Sequence, residues 1–140
     1  MGIQFTSKKV GELLKEGNLR IPSYQRPYKW NRKHIRNLFY DLRDAMEKKE
    51  YQVGSVILHD NNGYLDIVDG QQRLISISLF LHSLEELKDY EGANQLLGAE
   101  FGEISCYHAS ENYNEWKNLT QLVGANQAKD ICKFLLENCS

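Results

Sequence analysis

Several features that would assign this chain to a familiar class of protein are missing. No apolar run approaches the roughly 18 residues of a membrane-spanning helix, and the first residues lack the basic and apolar regions of a signal peptide. A Gly-x-x-x-x-Gly-Lys run is also absent, which excludes a P-loop phosphate site. We therefore expect a cytoplasmic protein without a membrane partner.

Cysteine is scarce and irregularly spaced. The three cysteines, Cys106, Cys132 and Cys139, are an odd number at spacings that match no zinc template, and the four histidines form no ligand pair with them. We therefore expect reduced thiols and no structural zinc site.

What the chain does contain is typical of one folded domain. A length of 140 residues is close to the modal domain size, and 41% hydrophobic with 26% charged residues is ordinary for a globular protein. The charge is uneven: residues 1–50 carry 12 basic and 6 acidic side chains, whereas residues 51–140 carry 5 and 13. The basic half could attract polyphosphate or nucleic acid, but the acidic half argues against a chain that coats DNA.

A short apolar strand runs into Asp-Gly-Gln-Gln-Arg, which opens a predominantly apolar helix. Asp69 is a good residue to cap this helix, and Gly70 allows the backbone to turn and approach a ligand closely. The three polar residues that follow fall in the first helical turn. Backbone N–H groups lack partners there and the helix dipole favours an anion.

Arg73 is unfavourable beside the positive end of a helix dipole, so we expect it to have an anionic or carboxylate partner. A purely structural alternative is equally compatible with the sequence. In that alternative Asp69 is a simple cap, Gln71 and Gln72 are solvated, and Arg73 pairs with a nearby acidic residue.

A β-hairpin is predicted immediately before this motif. Residues 53–59 form an apolar run that predicts a strand buried on both faces, residues 60–63 form a strong turn, and residues 64–68 return as the antiparallel partner. The hairpin would place Gly54 and Ser55 close to the Asp-Gly junction.

The two prolines of the chain bracket residues 22–27 and favour an extended loop. Arg26 would be well placed there to reach a ligand. The aromatic rings of this block, Tyr24, Tyr28 and Trp30, are expected to close the edge of the core.

Periodicity and breaker residues predict the remaining elements. They are a strand at 2–5, a helix that starts at Thr6 or Ser7 and buries Val10, Leu13 and Leu14, a brief strand at 19–21, a helix at 32–49 capped by Asn31, a glycine-punctuated linker after Tyr90 with a short strand at 104–107, and helices at 111–122 and 127–136.

Three blocks carry a resemblance to a known family. Asp-Gly-Gln-Gln-Arg at a strand-to-helix junction resembles the signature of the GmrSD-type restriction and anti-phage proteins. Residues 21–30 look like that family's Ile-Pro-x-Tyr-Gln-Arg-x-Tyr-x-Trp motif, and residues 53–58 are similar to its Gly-Ser strand. The resemblance is specific over about residues 1–90.

The resemblance implies an α/β (α+β) fold related to the ParB and sulfiredoxin nucleotide-binding domains. Such a fold has a small mixed sheet with flanking helices, here over residues 1–90, and a C-terminal helical extension, here over residues 91–140. It also implies a nucleoside triphosphate and Mg²⁺ as cofactors. Sulfiredoxin-like chemistry is not expected, because all three cysteines lie in the tail.

The resemblance implies both catalytic and nucleotide-binding residues in this sequence. Asp69, Gln72 and Arg73 are the candidate catalytic residues, with Asp69 also the metal ligand. The candidate nucleotide-binding residues are Tyr24, Gln25, Arg26, Gly54, Ser55, Gly70 and Gln71.

The implied function is a nucleotide-binding domain, with or without hydrolysis, that gates a nuclease in prokaryotic defence. No nuclease motif is recognisable, so we expect the nuclease to be a separate domain or subunit. The alternative left open is a non-enzymatic module that recognises DNA or another protein.

Overall fold

The structure is a computed structural model that describes residues 9–15, 17–21, 28–48, 56–85, 89–103 and 107–138. Six helices and a three-stranded sheet occupy these ranges, which confirms the predicted α+β class. The elements are α1 Val10–Leu14, β1 Leu19–Arg20, α2 Arg32–Lys48, β2 Ile57–Asn61, β3 Tyr64–Asp69, α3 Gln71–Ser83, α4 Glu91–Glu103, α5 Tyr107–Val123 and α6 Ala125–Asn138.

The sheet is mixed, with β3 in its centre. β1 pairs with β3 in parallel and β2 pairs with β3 in antiparallel orientation. Asn62 and Gly63 connect β2 to β3 with φ angles of 55° and 90°, and positive values at both positions define the tight turn that suits twisted strands. The predicted hairpin is therefore confirmed.

The prediction that the strand of residues 53–59 is buried on both faces was wrong for its described part. β2 begins at Ile57, whose exposed fraction is 51%. The reason is that β2 lies at the edge of a small sheet, where only one face packs on the core. Residues 53–55 lie outside the described residues.

The N-terminal helices follow the sequence pattern. α1 buries Val10, Leu13 and Leu14 as predicted, whereas the proposed start at residues 6–7 and the strand at 2–5 lie outside the described residues. Asn31 caps α2, because its Oδ1 accepts hydrogen bonds from the backbone N–H groups of Lys33 at 3.0 Å and His34 at 3.4 Å.

The predicted linker after Tyr90 was wrong, since residues 91–103 form α4. Glycine costs only about 1 kcal/mol in a helix, and burial of Ala93, Leu96 and Leu97 offsets that cost. The predicted strand at 104–107 was wrong at Tyr107, which begins α5; residues 104–106 lie outside the described residues. The last two predicted helices are present and longer than expected.

The hydrophobic core continues from the sheet and α3 into the C-terminal helices. Trp116 of α5 is fully buried and its ring stacks on Phe80 of α3, with centroids 4.1 Å apart. The proposed division at residue 90 stays a prediction. In the described part of the chain, no helix combines the length and apolar character needed to cross a membrane.

Gly11 marks the close approach of α1 to α6, and we expect Gly11→Ala to destabilise the fold by about 1–3 kcal/mol. A β-carbon at this position would lie 2.8 Å from the backbone oxygen of Leu136, which cannot move without displacing α6. Urea denaturation measures the change in the free energy of unfolding.

Gly17→Ala is the matched control, because its β-carbon would meet only the end of the Glu91 side chain, at 3.2 Å. The control should change the free energy of unfolding by less than about 1 kcal/mol. Equal stability of the Gly11→Ala protein and the unsubstituted protein would contradict the proposed packing of α1 on α6.

Candidate functional site

The Asp-Gly-Gln-Gln-Arg motif forms the junction between β3 and α3. Asp69 is the last residue of β3, and Gly70 is the N-cap of α3 with φ 96°, a left-handed conformation that favours glycine. The prediction that Asp69 caps the helix was wrong by one position. Its exposed carboxylate accepts a hydrogen bond from the Gly70 N–H at 3.0 Å, and α3 has no side-chain cap.

The shift has a physical cause in the sheet. Asp69 pairs with Ile57 of β2 beyond a shift in the register, so the backbone of Asp69 is held in the strand and Gly70 turns the chain. α3 therefore begins at Gln71. The N-cap residue, Gly70, has no side chain that could accept hydrogen bonds from the N–H groups of the first turn.

The three polar side chains of the first turn have different environments. Gln71 is buried, with an exposed fraction of 5%. The Oε1 atom of Gln72 accepts hydrogen bonds from the backbone N–H groups of Lys29 at 2.7 Å and Trp30 at 3.3 Å. Arg73 is exposed and forms neither an ion pair nor a hydrogen bond with any residue that the structure describes.

Residues 28–30, which we call the anchor segment, form hydrogen bonds with both α3 and α5. The predicted packing of its rings is confirmed for Tyr28, whose exposed fraction is 1%, and Trp30 is partly buried against the core. The Tyr28 hydroxyl lies 2.6 Å from Ser76 Oγ of α3, and Asn112 Nδ2 of α5 donates to the Tyr28 hydroxyl at 2.7 Å. The anchor segment is thus fixed beside the first turn of α3.

Asp66, the other carboxylate of β3, is engaged elsewhere. Arg20 of β1 donates from Nε to Oδ1 at 2.6 Å and from Nη2 to Oδ2 at 3.1 Å, a bidentate pair. The hydrogen bond that Arg20 donates to Asp66 raises the pKa of the Arg20 guanidinium. Asp66 is therefore not available to bind a cation.

Some of the positive charge of the N-terminal half is also paired. Arg32 of α2 contacts Glu111 at 2.7 Å and Arg36 contacts Glu115 at 3.3 Å, both acidic residues lying on α5. These pairs reduce the positive potential along this face of α2.

The structure places five of the predicted site residues in one continuous junction, from Asp69 to Arg73. The other five, Tyr24, Gln25, Arg26, Gly54 and Ser55, lie outside the described residues, so their predicted positions are not tested.

Sequence reasoning missed the residues that hold the anchor segment. Asn112 and Trp116 of α5 and Ser76 of α3 all bond to it or to its supports, with Trp116 Nε1 donating to the Ser76 carbonyl at 2.9 Å. The only signal in the sequence was Ser76, a serine inside an apolar helix, because a buried hydroxyl group needs a hydrogen-bond partner. Nothing in the sequence pairs Asn112 with residues more than 80 positions away.

In the described part of the chain, no cluster of three or more acidic, histidine or cysteine side chains forms a ready-made metal site, and Cys132 is a buried free thiol. A cation at this junction would therefore need oxygen ligands from an anion that binds together with it.

Comparison with known proteins identifies the family. The model of the GmrSD restriction endonuclease N-terminal domain matches residues 10–139, which include the anchor segment, the junction and all three C-terminal helices. A search of curated proteins gave no match. The match spans nearly the whole chain, so the chain belongs to the family of GmrSD restriction endonuclease N-terminal domains and is part of a restriction, or phage-defence, protein.

Proposed function

We propose that this domain binds a nucleoside triphosphate with Mg²⁺ at the N-terminus of α3 and uses it to gate a nuclease. Family membership implies the nuclease, and DNA as a further partner. The proposal for the nucleotide rests on the geometry of the Asp69–Arg73 junction.

The main support for the proposal is that the structure disagrees with each part of the purely structural alternative. Asp69 does not cap α3. Gln71 is buried and Gln72 bonds to the anchor segment, so neither glutamine is simply solvated. Arg73 has no acidic partner among the described residues. A cation without a partner in the first helical turn opposes the helix dipole, and a bound phosphate would relieve that conflict.

The groups at the junction suit a polyphosphate. The first turn of α3 directs backbone N–H groups outward, Gly70 permits close approach of the backbone, and the Arg73 guanidinium matches phosphate oxygens as a two-pronged donor. Arg26, which shortly precedes the anchor segment in the sequence, would supply a second positive charge. Tyr24, Gln25, Gly54 and Ser55 are the remaining proposed binding residues.

Mg²⁺ fits this donor set only together with the triphosphate. Mg²⁺ keeps several waters and is commonly held by one or two carboxylates plus substrate phosphates. Asp69 is an exposed carboxylate at the junction, whereas Asp66 is occupied by Arg20. Asp69 would hold the ion directly or through water.

Two of the described basic residues of α2 are paired with acidic residues of α5. This pairing favours the nucleotide over the alternative of a simple DNA-binding face.

Gln72 Oε1 already accepts two backbone hydrogen bonds, so we propose that Gln72 orients the site rather than activating water. Binding that holds one conformation is sufficient for a gate.

The proposal is tested by calorimetric titration of the full chain with ATP, GTP, CTP and UTP, each with and without Mg²⁺. We expect saturable heat with at least one triphosphate and a lower affinity when Mg²⁺ is removed. The absence of heat for all four would overturn the proposal.

Asp69→Asn should remove most of the Mg²⁺ dependence, because the amide no longer attracts the cation. We expect the Mg²⁺-supported affinity to fall roughly tenfold or more, while affinity without Mg²⁺ changes little. Asp60→Asn is the control, since Asp60 is an exposed aspartate in β2 that pairs with Leu65. An Asp69→Asn protein that keeps the full Mg²⁺ effect would exclude Asp69 as the ligand.

A further inference from the structure

Asn112 is a fully buried polar residue of α5 that bonds to the anchor segment. We propose that Asn112 is a positioning residue that couples the packing of α5 to ligand binding at the first turn of α3. The identity of the ligand rests on the proposed function, whereas the coupling rests on the hydrogen bonds described below.

Asn112 fixes the anchor segment from the α5 side. Its Nδ2 atom donates to the Tyr28 hydroxyl and to the Trp30 carbonyl oxygen, both at 2.7 Å. Because the Trp30 carbonyl can only accept, the amide nitrogen must face it, and this sets the orientation of the amide. One side chain therefore holds two points of the three-residue segment.

The bonds continue in one direction to α3. Ser76 Oγ donates to the Gln72 carbonyl oxygen at 2.8 Å, so its single proton is used and the Tyr28 hydroxyl donates to Ser76 Oγ at 2.6 Å. The chain of donors runs from Asn112 through Tyr28 and Ser76 to the backbone of Gln72. Bonds linked in this manner strengthen one another.

A second route reaches the same glutamine through its side chain. The N–H groups of Lys29 and Trp30 both point to Gln72 Oε1, at 2.7 Å and 3.3 Å. The anchor segment thus lies between Asn112 on one side and Gln72 on the other. Gln72 immediately precedes Arg73, so displacement of the segment would disturb the side chain next to the proposed phosphate ligand.

The remaining contacts of α5 fix where Asn112 lies. Glu111 and Glu115, one position before and three after Asn112, pair with Arg32 and Arg36 of α2. Trp116 Nε1 donates to the Ser76 carbonyl of α3 at 2.9 Å. A shift of α5 would move Asn112 together with these contacts.

Asn112 also lowers the stability of the fold in a way that an apolar residue would not. Its Oδ1 atom is buried and accepts no hydrogen bond in the described structure. A buried acceptor without a partner is destabilising, so an apolar residue would suit packing alone better. The cost is understandable if the two donated bonds are required to orient the anchor segment.

Coupling of this kind is reciprocal. If the position of α5 changes the affinity for a ligand at the first turn of α3, the ligand changes the preferred position of α5 by the same factor. The position of α5 would then report the state of the nucleotide site. This gives α5 a regulatory role in addition to packing.

The test uses Asn112→Ala and Asn112→Leu, which keeps a branched side chain but has no donor. Asn114→Ala is the matched control, because Asn114 is exposed on the same helix. Affinity is measured by calorimetry with the triphosphates and Mg²⁺, and hydrogen exchange is measured at the Lys29 and Trp30 amides without nucleotide. We expect both Asn112 variants to bind on the order of tenfold more weakly and to exchange faster at these amides, with Asn114→Ala unchanged.

A purely structural role would lower the melting temperature but leave the affinity of the folded protein unaltered. Wild-type affinity in folded Asn112 variants would overturn the inference, whether or not the two amides exchange faster. If these variants do not fold, Tyr28→Phe removes one hydroxyl and should give a smaller change in the same direction, and no change would overturn the inference. If the unsubstituted chain binds no triphosphate, the proposed function fails, while hydrogen exchange still decides whether Asn112 positions residues 29 and 30.

Discussion

Replacing Arg73 with alanine is expected to weaken triphosphate binding by about 10- to 100-fold. Arg73 is exposed in the first turn of α3 and has no partner among the described residues, so its guanidinium is available to phosphate oxygens. A hydrogen bond between charged groups contributes about 1.5–3 kcal/mol, which corresponds to that loss. Calorimetric titration with the tightest-binding triphosphate measures the change.

Two further variants distinguish a direct phosphate contact of Arg73 from a general effect of losing one positive charge. Arg43→Ala removes an exposed arginine of α2 that stacks on Tyr40, and its affinity should stay within about twofold of the unsubstituted protein. Arg73→Lys keeps the charge without the planar fork, so we expect an intermediate affinity. An unchanged affinity in Arg73→Ala would show that the phosphate does not contact this residue.

Replacing Trp116 with alanine is expected to lower the free energy of unfolding by about 3–5 kcal/mol, the usual cost of removing a large buried ring. Trp116 is fully buried, stacks on Phe80 and donates to the Ser76 carbonyl. Its loss would leave a cavity between α3 and α5 and remove the hydrogen bond to the Ser76 carbonyl oxygen. Urea denaturation gives the change, which is a large part of the stability of a typical domain.

Leu122→Ala is the control on the same helix, because Leu122 is 68% exposed and should cost less than about 0.5 kcal/mol. Trp116→Phe keeps an aromatic ring against Phe80 but loses the indole donor, and its stability should fall between the other two. A Trp116→Ala protein as stable as the Leu122→Ala protein would contradict the proposed continuity of the core from α3 to α5.

Local signals predicted the parts of the fold that depend on neighbouring residues. The turn at Asn62-Gly63 and the cap at Asn31 are properties of a few consecutive side chains, and both are present. The buried character of α3 followed from the apolar residues that cover most of its circumference after Arg73. The family signature placed Gly70 at the point where the backbone turns.

Interactions between distant segments explain what sequence reasoning did not predict. Asp69 looked like a cap, but its pairing with Ile57 keeps it in the sheet. α4 contains glycines that suggest a linker, yet burial of its apolar residues overrides that preference. The role of Asn112 depends on contacts 82 and 84 positions away, which no local pattern encodes.

A titration followed by amide NMR shows directly whether a polyphosphate binds at the N-terminus of α3. The full chain, labelled with ¹⁵N, is titrated with a triphosphate and Mg²⁺ while the backbone amides are observed. We expect the largest changes at Gly70–Arg73, with smaller changes at Lys29 and Trp30 and none at the hairpin turn Asn62-Gly63. Saturable changes confined to other surfaces, or no change at Gly70–Arg73, would contradict this expectation.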